Sequence, residues 1–176
     1  MKDAVVVVFN DFDHEDGETL LASFRERVPA MVEAIELARR GNVPVIYVND
    51  QRAQWDADAP GLVRAALDQR PSGTVLAPLA PKLGDRFLLK ARYSAFDHTP
   101  LVLLLRELEV ERILLIGAAT EGCIVQSGLD ARELDLKVTI LADACATNDP
   151  ELADISLRYA ESVGGMRIAS VDTLSA

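Results

Sequence analysis

Residues 4–9 read Ala-Val-Val-Val-Val-Phe, an apolar run with none of the polar alternation of a half-exposed strand. A strand of that kind is covered on both faces, which points to a mostly parallel sheet with helices above and below. The rest of the chain keeps to that plan. Residues 28–40 carry Met31, Val32, Ile35, Leu37 and Ala38 at roughly helical spacing, with Gly41 placed as a cap. Further strands are expected at 43–48, 87–89, 113–116, 138–141 and 166–169. Helices are expected at 62–67, at 101–108, from about 123 to 134, and from Asn148 or Asp149 to just before Gly164, with Pro150 in the first turn. A loop is expected around 71–73. The expected fold is α/β: three α-β-α layers around a six-stranded, mostly parallel, doubly wound sheet of Rossmann-like type.

With 176 residues and no repeat, low-complexity tract or linker, the whole of 1–176 reads as a single domain. Apolar residues make up 49% and charged residues 26%, which excludes disorder. Asp and Glu total 28 against 18 Lys and Arg, a net charge of −10 that repels phosphate backbones and anionic lipid. Nucleic acid and membrane are therefore not expected partners; a small molecule is. The two cysteines, Cys123 and Cys145, make no disulfide framework and suit a reducing compartment. No signal-peptide pattern opens the chain and no apolar run approaches a membrane span, so a cytoplasmic location is expected.

In a parallel sheet of this kind, chemistry gathers beyond the carboxyl ends of the strands. The segments to weigh are residues 10–13, 49–50, 90–92, 118–123 and 143–148. Cys123 follows a strand and the small-residue turn Gly-Ala-Ala-Thr-Glu-Gly, and opens a helix. The positive end of the helix dipole and free amides favour a thiolate there and suit an oxyanion. A free cysteine among apolar neighbours is also an ordinary core residue, and position alone leaves both readings open. Lys90 ends the apolar strand Phe-Leu-Leu and is expected to point into the crevice rather than snorkel to solvent. Asp11, Asp13, Glu15 and Asp16 follow the first strand; a carboxylate among them could act as base to the thiol, or the cluster could be a solvated loop. Cys145, in Leu-Ala-Asp-Ala-Cys-Ala-Thr, reads as structural. His14 and His98 are the only histidines, and no HxxxH or CxxC pattern suggests zinc.

Two segments make the chain recognisable. Residues 90–101, Lys-Ala-Arg-Tyr-Ser-Ala-Phe-Asp-His-Thr-Pro-Leu, and residues 116–123, Ile-Gly-Ala-Ala-Thr-Glu-Gly-Cys, together resemble the isochorismatase-like cysteine hydrolases, which include nicotinamidases and N-carbamoylsarcosine amidases. Val-Ile-Tyr-Val-Asn-Asp at 45–50, Trp55, and Leu-Ala-Asp-Ala-Cys-Ala-Thr-Asn at 141–148 are similar to the family as well, so the likeness runs the length of the chain. It implies a Cys-Asp-Lys site needing no cofactor. Cys123 would attack a carbonyl to give an acyl-enzyme, Lys90 would lower the pKa of its neighbours, and the amides of Ala119 and Cys123 would form an oxyanion hole. It also implies a non-proline cis peptide at Ala118–Ala119.

The family aspartate at the end of the first strand has no direct counterpart. Aligning on Asn10-Asp11-Phe12 puts Val7 there, and aligning on the strand start puts Phe9 there. Asp11, two residues beyond Phe9 and so on the same side of an extended chain, is the residue expected to supply the carboxylate. The nicotinamidase metal pattern, Asp-x-His, would fall on residues 50–52, where no histidine stands; no metal is expected, and a small amide or carbamoyl compound is the expected substrate. Arg92, Tyr93, Phe96 and Trp55 are candidate pocket walls. The resemblance also implies a homo-oligomer, dimer or tetramer, whose partner chain completes the pocket.

Two other readings compete. A magnesium-dependent phosphohydrolase of the haloacid-dehalogenase type would use Asp11 as nucleophile and Asp13 as general acid, but Glu15 stands where its threonine belongs, and Lys90 and Cys123 are left unexplained. A chain that has lost its general base could instead serve as a catalytically impaired binding or assembly protein.

Overall fold

The computed structural model describes residues 1–9, 12, 14–50, 58–68 and 72–174. Six strands form one sheet: β1 (Asp3–Val8), β2 (Val45–Asp50), β3 (Arg86–Lys90), β4 (Arg112–Ala118), β5 (Lys137–Ala146) and β6 (Arg167–Ala169). Their order is β3-β2-β1-β4-β5-β6, and every pairing is parallel. The helices are α1 (Gly17–Arg40), α2 (Ala59–Asp68), α3 (Ser72–Leu76), α4 (Leu101–Glu107), α5 (Val125–Glu133) and α6 (Pro150–Ser162). The chain reverses its winding between β1 and β4, the switch point where a doubly wound sheet opens a crevice.

β1 sits at the centre and is buried on both faces, as its unbroken apolar run requires. Val5 and Val7 join Leu20, Leu21, Phe24, Met31 and Ile35 of α1 in one core. Ala4, Val6 and Val8 turn to the other face, against Leu101 and Leu105 of α4 and Ala131 of α5. The three-layer arrangement thus follows from period-2 geometry applied to a strand with no polar face.

Three elements differ most from the sequence expectation, the others shifting by a few residues at their ends. α1 begins at Gly17, not residue 28, and runs through Pro29. An interior proline costs roughly 3 kcal/mol, but Leu20, Leu21 and Phe24 are buried against the sheet, and the Phe24 ring meets Phe9 and Phe12 edge-on at 5.5 and 4.9 Å. At the other end Gly41 keeps an ordinary φ of −82°, and it is Asn42 that adopts the left-handed conformation, φ 54°. Val43 N–H donates to the Ala38 carbonyl at 2.8 Å and Asn42 N–H to that of Arg39 at 3.2 Å, a Schellman closure with asparagine in the glycine position. β5 is longer than expected because its register against β4 shifts between Leu115 and Gly117, and the polar Asp143 inside it accepts the Val171 N–H rather than ending the strand. The loop expected around 71–73 gives way to α3 from Ser72. Asp149 is the α6 cap, its side chain accepting the Leu152 N–H at 3.0 Å, with Pro150 next.

Candidate active site

Beyond the carboxyl ends of β1 to β4 lies a cleft of about 380 Å³, lined by Val8, Phe9, Asp50, Lys90, Arg92, Tyr93, Asp97, Ala118, Cys123 and Gln126 among others. Lys90, last residue of β3, extends into it yet is only 3% exposed. Its ammonium donates to the Arg92 carbonyl at 2.8 Å, stands 3.5 Å from the Cys123 sulfur and 4.0 Å from a carboxylate oxygen of Asp50. A buried ammonium needs such partners, because an isolated charge out of water is costly. Lysine and cysteine, 33 positions apart, thus meet at hydrogen-bond range.

The turn that presents Cys123 is held from three sides. Gly117 ends the straight part of β4 with φ +128°, where its missing side chain lets the Val8 carbonyl approach. The Ala118–Ala119 peptide is cis. Residues Thr120–Ile124 then make a π-helical turn, with Ile124 N–H bonding to Ala119 O at 3.1 Å, so Cys123 lies inside this turn and α5 proper begins at Val125. Buried Thr120 donates to the Ala146 carbonyl at 2.9 Å. Glu121 accepts from the Thr147 hydroxyl at 2.7 Å and the Asn148 N–H at 3.0 Å. Ser127, fully buried, donates to the Cys123 carbonyl at 2.6 Å and accepts the Ala95 N–H at 2.8 Å. That last bond ties the loop following Lys90 to the cysteine turn.

Of the pocket-wall candidates, Arg92 and Tyr93 line the cleft. Phe96 does not; it packs in the core with Ala95, Leu101 and Ile124, its N–H turned back onto the Ser94 hydroxyl at 3.1 Å. Asp11, Asp13 and Trp55 lie outside the described residues. At the end of β1 the described chain offers Val8 and Phe9 to the cleft, both apolar and buried. Asp50, Glu121 and Ser127 carry no role in the sequence reading. Asp50 figures there as a strand end and as the first position of a metal pattern whose histidine is missing, and Ser127 only as a hydroxyl four residues after the cysteine, the spacing at which a helical serine reaches back to a carbonyl.

Cys145 is a core residue. It lies in β5, 3% exposed, its thiol directed at the Leu115 carbonyl, and burial pushes that thiol up to about 12. His14 is exposed, and His98, also exposed, pairs with Asp97. Among the described residues no group of three or more His, Cys, Asp or Glu side chains is placed to hold a metal ion, and no helix is long and apolar enough to cross a membrane.

Comparison with known proteins agrees with this geometry. The isochorismatase domain model matches residues 3–171. The chain is 33% identical over 159 residues to the isochorismatase family protein YaaI of Bacillus subtilis, spanning 90% of this chain and 87% of that one. It is 29% identical over 171 residues to an Arabidopsis thaliana protein named a probable inactive nicotinamidase, spanning 91% of this chain and 87% of the other. The crystal structure of N-carbamoylsarcosine amidase from Thermoplasma acidophilum is similar across 98% of both chains, with a TM-score of 0.76 and 30% identity. With the family model covering nearly its whole length, on a parallel sheet that brings a lysine and a cysteine together at the switch point, this chain belongs to the isochorismatase family of hydrolases.

Proposed function

We propose that this protein hydrolyses a small amide or carbamoyl compound through an acyl-enzyme on Cys123. The observation that carries the reading is the 3.5 Å approach of the buried Lys90 ammonium to the Cys123 sulfur, inside a cleft. A cation at that distance favours the thiolate, which is the nucleophile. The thiolate adds to the substrate carbonyl carbon, and the oxygen takes the charge, facing the amides of Ala119 and Cys123. The proton leaving the thiol goes to a carboxylate, the role given to Asp11, and passes on to the nitrogen as the C–N bond breaks. Water then cleaves the thioester, releasing the acid and restoring the thiol. Arg92 and Tyr93 meet the substrate at the cleft wall, and the molecule works as a homo-oligomer in the cytoplasm. A cleft of about 380 Å³ suits a small substrate rather than a polymer.

A second reading rests on the apolar end of β1. Val8 and Phe9 stand in the cleft, and without a carboxylate to take the thiol proton the chain would bind a small amide without turning it over. One experiment separates the two. The protein is incubated with a panel of small amides and N-carbamoyl compounds, ammonia release is followed, and the intact mass is read for an acyl adduct. Turnover that disappears in Cys123→Ala with the melting temperature unchanged is the expected result. Saturable binding without turnover or adduct favours the second reading, and undiminished turnover in Cys123→Ala overturns the cysteine mechanism.

A further inference from the structure

We infer that Asp50 is the positioning residue that keeps Lys90 charged and aimed at Cys123; this rests on Cys123 being the nucleophile. β2 and β3 run parallel with Asp50 registered opposite Lys90, so the two side chains leave adjacent strands side by side. The ammonium then has three directions filled: the Arg92 carbonyl at 2.8 Å, the cysteine sulfur at 3.5 Å and the Asp50 carboxylate at 4.0 Å. A carbonyl is a neutral partner and cannot balance a charge. The sulfur balances it only while it is a thiolate, and once acylated it is a neutral thioester. A lysine 3% exposed then no longer has the sulfur as a counter-charge, and a buried cation needs one. Asp50 supplies a negative charge present at every stage of the cycle.

The surroundings single out Asp50 for this task. Among the described residues, the cleft receives Val8 and Phe9 from the end of β1 and Ala118 from β4, none of them charged. The loop after β3 contributes Arg92, Tyr93 and Asp97. Arg92 is a like charge that works against the ammonium, and Asp97 lies beyond ion-pair range of it. From the cysteine turn comes Cys123 itself. Among the described residues, Asp50 is the one carboxylate within ion-pair range of Lys90. Asp50 itself lines the cleft, its side chain 32% exposed beside a lysine that is 3% exposed.

The test is the pH profile of Cys123 alkylation by iodoacetamide in the full chain, read by peptide mass so that buried Cys145 does not contribute. Wild type is compared with Lys90→Ala, Asp50→Asn, Asp50→Glu and the Lys90→Ala/Asp50→Asn double variant. Because Asp50 acts through the lysine, Asp50→Asn is expected to move the midpoint upward, in the direction of Lys90→Ala, by about one pH unit or more, the scale for a close opposite charge. Asp50→Glu should return it toward wild type, and the double variant should shift no further than Lys90→Ala alone. A carboxylate that acted directly on the sulfur would do the reverse, and its removal would move the midpoint down. A downward shift, no shift, or additive shifts in the double variant overturn the inference. Asp50→Ser gives the same comparison if Asn does not fold. If Lys90→Ala leaves the wild-type profile unchanged, the reading of Cys123 and Lys90 falls and Asp50 with it. If Lys90→Ala moves the profile and Asp50→Asn does not, only the role of Asp50 falls.

Discussion

Ser127→Ala removes one oxygen atom, and its consequences can be worked through from the structure. The hydroxyl is fully buried and makes two bonds, donating to Cys123 O at 2.6 Å and accepting from Ala95 N at 2.8 Å. Alanine fits the space, so no repacking masks the loss. The Cys123 carbonyl gives up a hydroxyl partner, worth about 1 kcal/mol net. The Ala95 amide, at a residue with no exposed surface, is left without its acceptor, at a cost of about 1–3 kcal/mol. Together these destabilise the fold by about 2–3 kcal/mol, since neighbouring terms do not add fully. For a domain of this length that lowers the melting temperature by roughly 4–12 °C. The assay is thermal unfolding followed by circular dichroism, with Ser162→Ala on exposed α6 surface as a control expected to change nothing measurable. The same variant unfastens the Lys90 loop from the cysteine turn, so Cys123 alkylation at neutral pH should slow as well. A melting temperature within about 1 °C of wild type would refute the reasoning, because an orphaned buried amide could not be that inexpensive.

Two further outcomes are expected. In Gly117→Ala the added carbon would fall 1.7 Å from the Val8 carbonyl oxygen and 2.6 Å from its carbon, at φ +128°, against backbone rather than a flexible side chain; a loss of order 3 kcal/mol or more is expected, read as a collapse in soluble yield or a large drop in urea midpoint. Burial holds the Cys145 thiol protonated up to about 12 in the folded chain, whereas the unfolded chain ionises near 9.0. Between those values the unfolded state has released the proton and the folded state has not, so this group makes stability fall as pH rises, by about 1 kcal/mol per unit. Below 9 it contributes nothing to the slope. Cys145→Ala should therefore flatten the alkaline limb of a stability-against-pH curve, and an unchanged limb would count against a buried neutral thiol.

Much of the architecture is written locally. Four consecutive valines have no polar side to turn to water, so β1 had to be central, and the sheet order follows from burying it. The same holds for Asp149-Pro150 at the start of α6, where capping chemistry is confined to neighbouring residues. Lys90 and Cys123 stand out because each ends or follows an apolar strand. What escaped the sequence depends on contacts between distant segments. Pro29 marks a boundary by its own chemistry, and only the burial of Leu20 and Phe24 against the sheet carries α1 past it. Tyr93 and Phe96 stand in one loop with no periodicity to say which ring faces the cleft and which the core. Asp50 gains its place beside Lys90 only from strand register between residues 40 positions apart, a relation no local pattern encodes.

The strand order has a consequence for how the reactive centre comes into being. Asp50 and Lys90 belong to the half of the sheet built from β2 and β3, Cys123 to the half built from β4 and β5, and β1 is the seam between them. Neither half holds a complete centre. If either hinges away from the seam, the ammonium and the sulfur part company even though each half keeps its own hydrogen bonds. Under the proposed function, reactivity at Cys123 would therefore report on the finished sheet, because a chain caught half-assembled would hold the sulfur without the ammonium beside it. The two groups come within reach of each other only when the last seam closes.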